Sequence, residues 1–322
     1  MGLQVENLTV YYQTLKGNVQ ALENASFNVA DGEIMGLAGE SGCGKTTLGH
    51  SLVYLNQPMK FIGGRVLLND QDMPIADMEA MNDFRLKQIS IIPQYAMNAL
   101  NPTRKIGKMT AELLESKKVS FKIIKAELER RLDLVKLPRE VLNMYPIELS
   151  GGMKQRMVMV LSTLLNPALL IADEITSALD VASQKAVAEM LVEFRDQQCC
   201  NSAIVITHDI SILYQIADSI LIMYAGQLAE RASTDAIIHS PRHPYTKMLI
   251  SSLPKVGVRY EEKKLSGIPG KPPLLLNPPR GCRFKERCPL AFEKCDQVPP
   301  FEEIAPGHFV ACWKESAKNA QA

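Results

Sequence analysis

Between residues 3 and 38, short apolar runs alternate with turn residues: LQVENLTVYY, VQALENASFNV, the Asp31-Gly32 turn, then IMGLA. Such alternation predicts several short antiparallel strands feeding one buried strand over Ile34–Ala38. A Gly-rich loop follows, and the TTLGHSLVYL behind it has the apolar spacing of a helix. From residue 106 to 137 the pattern is helical and amphipathic, with Leu128, Leu132 and Val135 on one face. ALLIADE and SAIVITHD are short apolar runs that end in polar residues. Buried parallel strands have this pattern, and open α/β sheets bind ligands at their carboxyl ends. SILIMYAGQLAE reads as a hairpin around Ala225-Gly226.

The texture changes after Leu253. Residues 254–281 hold ten Gly and Pro residues, too many for long regular elements, and four of the seven cysteines lie beyond them. The division expected is a domain over 1–253, with a helical part near 95–165, and a linker with a cysteine-rich appendage over 254–322. Metal, rather than a core, is expected to hold the appendage together.

Composition narrows the function. The 36 Lys+Arg nearly cancel the 35 Asp+Glu, so no global field draws the chain to nucleic acid or an acidic membrane surface. No apolar run approaches the ~20 residues of a membrane-spanning helix. The opening MGLQVENLTVYY lacks the basic and apolar regions of a signal peptide, and Glu6 stands where a myristoylation motif wants Ser or Thr. A cytosolic chain is expected, in which metal binding or burial explains cysteines better than disulfides do.

Gly39-Glu40-Ser41-Gly42-Cys43-Gly44-Lys45-Thr46 matches G-x-x-x-x-G-K-[ST] between a predicted strand and a predicted helix. Glycines let the backbone curl so that successive N–H groups face phosphate oxygens, and the helix N-terminus adds partial positive charge. Lys45 would reach the β and γ phosphates and the Thr46 hydroxyl would ligate Mg²⁺, with Thr47 beside it. In ALLIADE, the strand ends in Asp173 and Glu174, which suit a metal ligand and an acceptor for the proton of an attacking water.

Leu149-Ser150-Gly151-Gly152-Met153-Lys154-Gln155-Arg156 shortly precedes Asp173 and resembles the signature motif of the ATP-binding cassette (ABC) ATPases. A Ser-Gly-Gly at a helix N-terminus is a second phosphate cap, and two caps for one triphosphate suggest a face-to-face dimer. Other family marks follow in order. Gln94 matches the glutamine that senses Mg²⁺ and connects to the transmembrane partner. Ser177-Ala178-Leu179-Asp180 matches the D-loop, and His208 the switch histidine at the γ-phosphate. Tyr12 resembles the aromatic that stacks on adenine, with Tyr11 the second choice. Ile175 departs from the pattern, since Pro is usual after the catalytic Glu.

The resemblance implies an α/β P-loop NTPase core of ABC type, with an N-terminal antiparallel β subdomain, a helical subdomain and a small metal-bound C-terminal domain. It implies hydrolysis of ATP with Mg²⁺, in which Glu174 polarises water and Lys45 and His208 stabilise the γ-phosphoryl. Thr46, Asp173 and Gln94 would stand at the Mg²⁺. Nucleotide contacts would come from Tyr12, Gly39, Ser41, Gly42, Cys43, Gly44 and Thr47, and from Ser150, Gly151, Gly152, Gln155 and Asp180 of the signature and D-loop. It also implies a place on the cytoplasmic face of a membrane, with a second ATPase subunit, two permeases and an extracytoplasmic substrate-binding protein.

Within that group, SPRHPYT at residues 240–246, Gly281-Cys282-Arg283-Phe284 and Cys288-Pro289 are similar to the oligopeptide and dipeptide importer ATPases, as is PQYAMNALNP around Gln94. Similar cassettes serve oligosaccharide or nickel uptake, and the other alternative is a non-transport ABC ATPase of DNA repair or translation. Cys282-x5-Cys288-x6-Cys295-x16-Cys312 would supply four thiolates. The resemblance implies a [4Fe-4S] cluster; zinc, or free buried thiols such as those expected at Cys199 and Cys200, are the alternatives. The appendage could serve structure alone or sense redox state.

Overall fold

The computed structural model describes residues 2–176, 180–253 and 267–319. Its strands are β1 (Leu3–Thr14), β2 (Gly17–Val29), β3 (Ile34–Ala38), β4 (Met59–Leu68), β5 (Gln71–Asp72), β6 (Ile89–Ile92), β7 (Leu169–Asp173), β8 (Ser202–Ile206), β9 (Ser219–Tyr224), β10 (Gln227–Ser233), β11 (Glu302–Ala305) and β12 (His308–Val310). They build two sheets. One is antiparallel with order β2-β1-β4-β5; the other has order β11-β12-β10-β9-β3-β8-β7-β6. In the second, β6, β7, β8, β3 and β9 run parallel, and β10, β12 and β11 add on antiparallel.

The strands of the large sheet read as continuous apolar runs because both faces are covered. Successive residues of β7 and β8 divide between two cores. Leu170, Ala172, Ala203 and Val205 join the helical side, whereas Leu169, Ile171, Ile204 and Ile206 join the side lined by the small sheet. The region expected near 95–165 holds helices Ile106–Ser116, Phe121–Leu134 and Gly151–Thr163. The pattern read as one amphipathic stretch is two helices, parted where Lys118 takes a left-handed φ of 57°. Leu128, Leu132 and Val135 are buried as their spacing demands. The several short strands expected at the start are two long ones, whose bulges absorb the breaks in the pattern.

The C-terminal segment differs from expectation. β12 pairs with β10, Glu230 opposite Val310, so the main sheet itself continues into the segment. Phe284 and Val310 are buried, Phe284 within the main core. Core and sheet therefore hold what a metal was expected to hold. Three residues in β12 and four in β11 are too few to show a period in the sequence, which is why this pairing was not legible. No helix among the described residues is long and apolar enough to cross a membrane.

Candidate nucleotide site

The loop after β3 turns on three glycines with left-handed φ: Gly39 at 149°, Gly42 at 78° and Gly44 at 105°. A Cβ on Gly44 would stand 2.2 Å from the Ala21 carbonyl oxygen, and one on Gly39 2.2 Å from that of Met223. Glycine is required at both positions by conformation and by space. The helix Lys45–Ser51 starts directly behind, with Gly44 as its N-cap. Lys45 is only 5% exposed, and its ammonium donates to the carbonyls of Gly39 at 2.8 Å and Glu40 at 3.1 Å. Phosphate oxygens would exchange with these carbonyls.

A cavity of about 430 Å³ opens over this loop, within the size range of small-molecule sites. It brings together Tyr12, Ser41, Gly42, Gly44, Lys45, Thr46, Thr47, Gln94 and Glu174. Tyr12 reaches it from β1, its hydroxyl 3.1 Å from that of Thr47, whereas Tyr11 is turned to Glu23. Gln94 donates to Glu174 Oε2 at 2.8 Å. Glu174 holds a left-handed φ of 46°, and its N–H donates to the Ile206 carbonyl, which anchors the strained residue to the end of β8. His208, 61% exposed on its side chain, has Nδ1 3.9 Å from Glu174 Oε1.

Asp173 tests whether the site suits Mg²⁺. The residue is fully buried, and Oδ1 accepts from the Thr46 hydroxyl at 3.2 Å. Oδ2 accepts no hydrogen bond, although His50 Nε2 lies 3.0 Å away, out of line for one. A buried carboxylate oxygen without a donor, beside a threonine hydroxyl, is a donor set for a hard divalent cation. Asp173, Thr46 and, from the cavity wall, Gln94 fit that group.

The signature residues lie apart from this cavity. Ser150 caps the helix Gly151–Thr163, accepting from the Met153 N–H at 3.3 Å, and Ser150, Gly151 and Gly152 are exposed. None of the three lines the cavity over the phosphate loop. Gln155 is turned inward, and its amide donates to the Ile175 carbonyl, tying the signature helix to the residue after Glu174. Cys43 is likewise buried, its Sγ 3.7 Å from Lys45 Nζ. Asp180 caps the helix Val181–Asp196 by accepting from the Ser183 N–H at 3.0 Å; the rest of the D-loop, Ser177 to Leu179, lies outside the described residues. A larger groove of about 500 Å³ passes Gly152, Gln155, Arg156 and Asp180 but contains no phosphate loop.

Sequence reading missed several residues here. His50 was findable, since four positions after Thr46 puts it on the same helix face. Leu275, which lines the nucleotide cavity, and Arg287, which pairs with Glu40 of the loop, arrive from beyond residue 266 and gave no local signal.

Cys282, Cys288, Cys295 and Cys312 all line one small cavity. Burial pushes the Cys282 thiol up to about 11, and the neighbouring Cys295, Cys312 and Cys288 push the same way. The Cys288 and Cys312 thiols are also raised, chiefly by burial. The space between them is about 20 Å³, room for one water. No group of three or more His, Cys, Asp or Glu among the described residues is arranged to hold a metal ion. The metal-bound domain that the resemblance implied is therefore not shown: the four thiols line one cavity, and the segment is seated by the core and the sheet.

Two family models match the chain: ABC transporter over residues 22–177, and the C-terminal region of oligopeptide/dipeptide transporters over residues 229–295. The chain is 40% identical to the dipeptide transport ATP-binding protein DppD of Bacillus subtilis, over 99% of this chain and 96% of the relative. It is 39% identical to the oligopeptide transport ATP-binding protein OppD of Escherichia coli, over 97% and 93% respectively. Its fold is similar to the ATP-binding cassette MJ0796 in a dimeric post-hydrolysis state with ADP and Pi, at TM-score 0.63 and 23% identity, covering 72% of this chain and 98% of that one.

Proposed function

Because the chain belongs to the ATP-binding cassette family of transporter ATPases, we propose that it is the ATP-hydrolysing subunit of a membrane importer for oligopeptides or dipeptides. The observation that carries this reading is the single cavity in which the phosphate loop, Gln94 and Glu174 converge.

Tyr12 and the glycine loop orient ATP, with the loop N–H groups and the helix N-terminus on its phosphates. Mg²⁺ would supply positive charge against that developing at the γ-phosphoryl. Thr46 and Asp173 would hold it, with Gln94 beside them. Glu174 accepts the proton of the attacking water at the carboxylate that Gln94 aligns, and Lys45 and His208 stabilise charge on the γ-phosphate. Ser150, exposed with Gly151 and Gly152, closes on the nucleotide of a second ATPase subunit, either a second copy or a related chain. Closure would drive two permease subunits at the cytoplasmic face of the membrane, supplied by an extracytoplasmic substrate-binding protein. The balanced overall charge gives no support to a nucleic-acid partner.

Cys282, Cys288, Cys295 and Cys312 would hold a [4Fe-4S] cluster, with zinc the alternative. Its support is that the four thiols line one cavity and that Cys thiolates are the usual ligands of such a cluster. The thiols would have to separate to admit it.

The deciding experiment is uptake of labelled dipeptide and pentapeptide by cells deleted for this chain and complemented with it. Peptide uptake restored by the native chain and not by Glu174→Gln is the expected result. Restored nickel or oligosaccharide uptake would replace the cargo class, and stable association with ribosomes or DNA would overturn transport.

A further inference from the structure

The segment between the first two cysteines of the C-terminal set is built onto the phosphate loop. Arg287 grips both carboxylate oxygens of Glu40, at 2.6 and 3.0 Å, across 247 residues of sequence. The guanidinium also donates to the Tyr224 hydroxyl at 3.1 Å and to the carbonyls of Pro269 at 2.8 Å and Ile268 at 3.2 Å. The pair is well shielded, with side-chain exposures of 5% for Arg287 and 25% for Glu40.

Glu40 is fixed at every polar group. Its N–H donates to the Tyr245 hydroxyl at 2.8 Å, and its carbonyl accepts from Lys45. Phe284 packs against the rings of Tyr224 and Tyr245, at 5.0 and 5.4 Å between centroids, which seats the cysteine segment on the same platform. Arg283 makes a parallel contact with Gln20 and Glu23 of β2, and Leu275 lines the nucleotide cavity.

A carboxylate inside a phosphate-binding loop works against its purpose, because ATP brings several negative charges to the same turn. We propose that Arg287 is a positioning residue of the ATP site: it neutralises Glu40 and fixes the first turn of the phosphate loop, so the segment bounded by Cys282 and Cys288 sets ATP affinity. The inference rests on the reading that this cavity binds ATP. A lysine could supply the charge but not the two parallel bonds that hold the carboxylate in plane.

The test is equilibrium binding of Mg-ATP to the full chain, with KM and kcat for hydrolysis, for native protein, Arg287→Ala, Arg287→Lys and the double variant Glu40→Gln with Arg287→Ala. Arg287→Ala should bind ATP about tenfold more weakly or worse, Arg287→Lys should fall between it and the native chain, and the loss should fall on KM more than on kcat. Removing the unpaired carboxylate in the double variant should restore most of the affinity. If Arg287→Ala does not fold, the double variant and Arg287→Lys carry the same comparison. Native affinity in Arg287→Ala overturns the proposal. So does a double variant as weak as the single one, which would make Arg287 merely a packing residue. A native chain that binds no ATP would instead sink the nucleotide-site reading.

Discussion

Gln94 donates its side-chain amide to Glu174 Oε2 at 2.8 Å, so the loop after β6 is fastened to the carboxylate that directly follows β7. The residue that would report on the membrane partner thus touches the residue that would take the proton from water. Any movement of the Gln94 loop must either carry Glu174 with it or release it.

Glu174→Gln keeps the shape and leaves Lys45, Thr46 and Asp173 untouched. ATP binding should persist while turnover drops by about 10²- to 10⁴-fold, as loss of a general base does. Phosphate release and equilibrium binding, measured on the same preparation, check this; undiminished phosphate release would remove Glu174 from the role.

Gln155 is buried and its amide satisfies the Ile175 carbonyl. Gln155→Leu should cost about 1–3 kcal/mol, because it strands a buried acceptor. Urea denaturation measures the change, and a variant as stable as the native chain would show that the carbonyl finds another donor.

Gly44→Ala meets two obstacles at once, a φ of 105° and a backbone oxygen 2.2 Å from the added carbon. The loop must distort, and Mg-ATP should no longer bind measurably by calorimetry. Gly32, with left-handed φ but open space around it, is the control that should lose stability modestly and keep ATP binding.

His243 gives the fold a dependence on pH. Burial pushes its imidazole down to about 4 from 6.5; the charges of Glu230 and Glu315 and the Ala311 backbone oppose this, while Lys247 adds to it. Between those values the unfolded state binds the extra proton and the folded state does not. The stability due to neutral His243 is therefore complete above about pH 6.5 and is lost as pH falls towards 4, by about 3 kcal/mol in all. His243→Asn retains a side-chain acceptor for the Tyr245 N–H that His243 now caps. Melting curves over this range should converge for the two proteins at low pH and diverge at neutral pH; parallel curves would assign the acid sensitivity elsewhere.

Metal content decides the cysteine reading. Protein purified without air should carry about four irons and four sulfides per chain, with the matching visible absorption. One zinc without sulfide would establish the alternative, and neither metal would leave four free thiols in a cavity that the core and sheet support, those of Cys282, Cys288 and Cys312 raised by burial.

Legibility followed the range of the interaction. The phosphate loop could be read because Gly39, Gly42 and Gly44 answer a demand of the local backbone, and the buried strands because ALLIADE and SAIVITHD are apolar on both faces. The hairpin at Ala225-Gly226 was visible for the same reason, Tyr224 pairing with Gln227 across the turn. Tyr12 and Tyr11 could be ranked only through a resemblance, since which of two adjacent residues faces a cavity depends on bulges in β1.

By itself, then, the sequence determined a phosphate-binding loop with its acidic strand end, and the alternation of strands and helices that frames them. These are consequences of φ, hydrogen-bonding capacity and periodicity over a few residues. The tertiary structure decided that β12 extends the sheet at β10, that Gln155 serves Ile175, and that Arg287 closes on Glu40. Residues so far apart in sequence meet because burial leaves their polar groups no other partner, and no local pattern records that requirement.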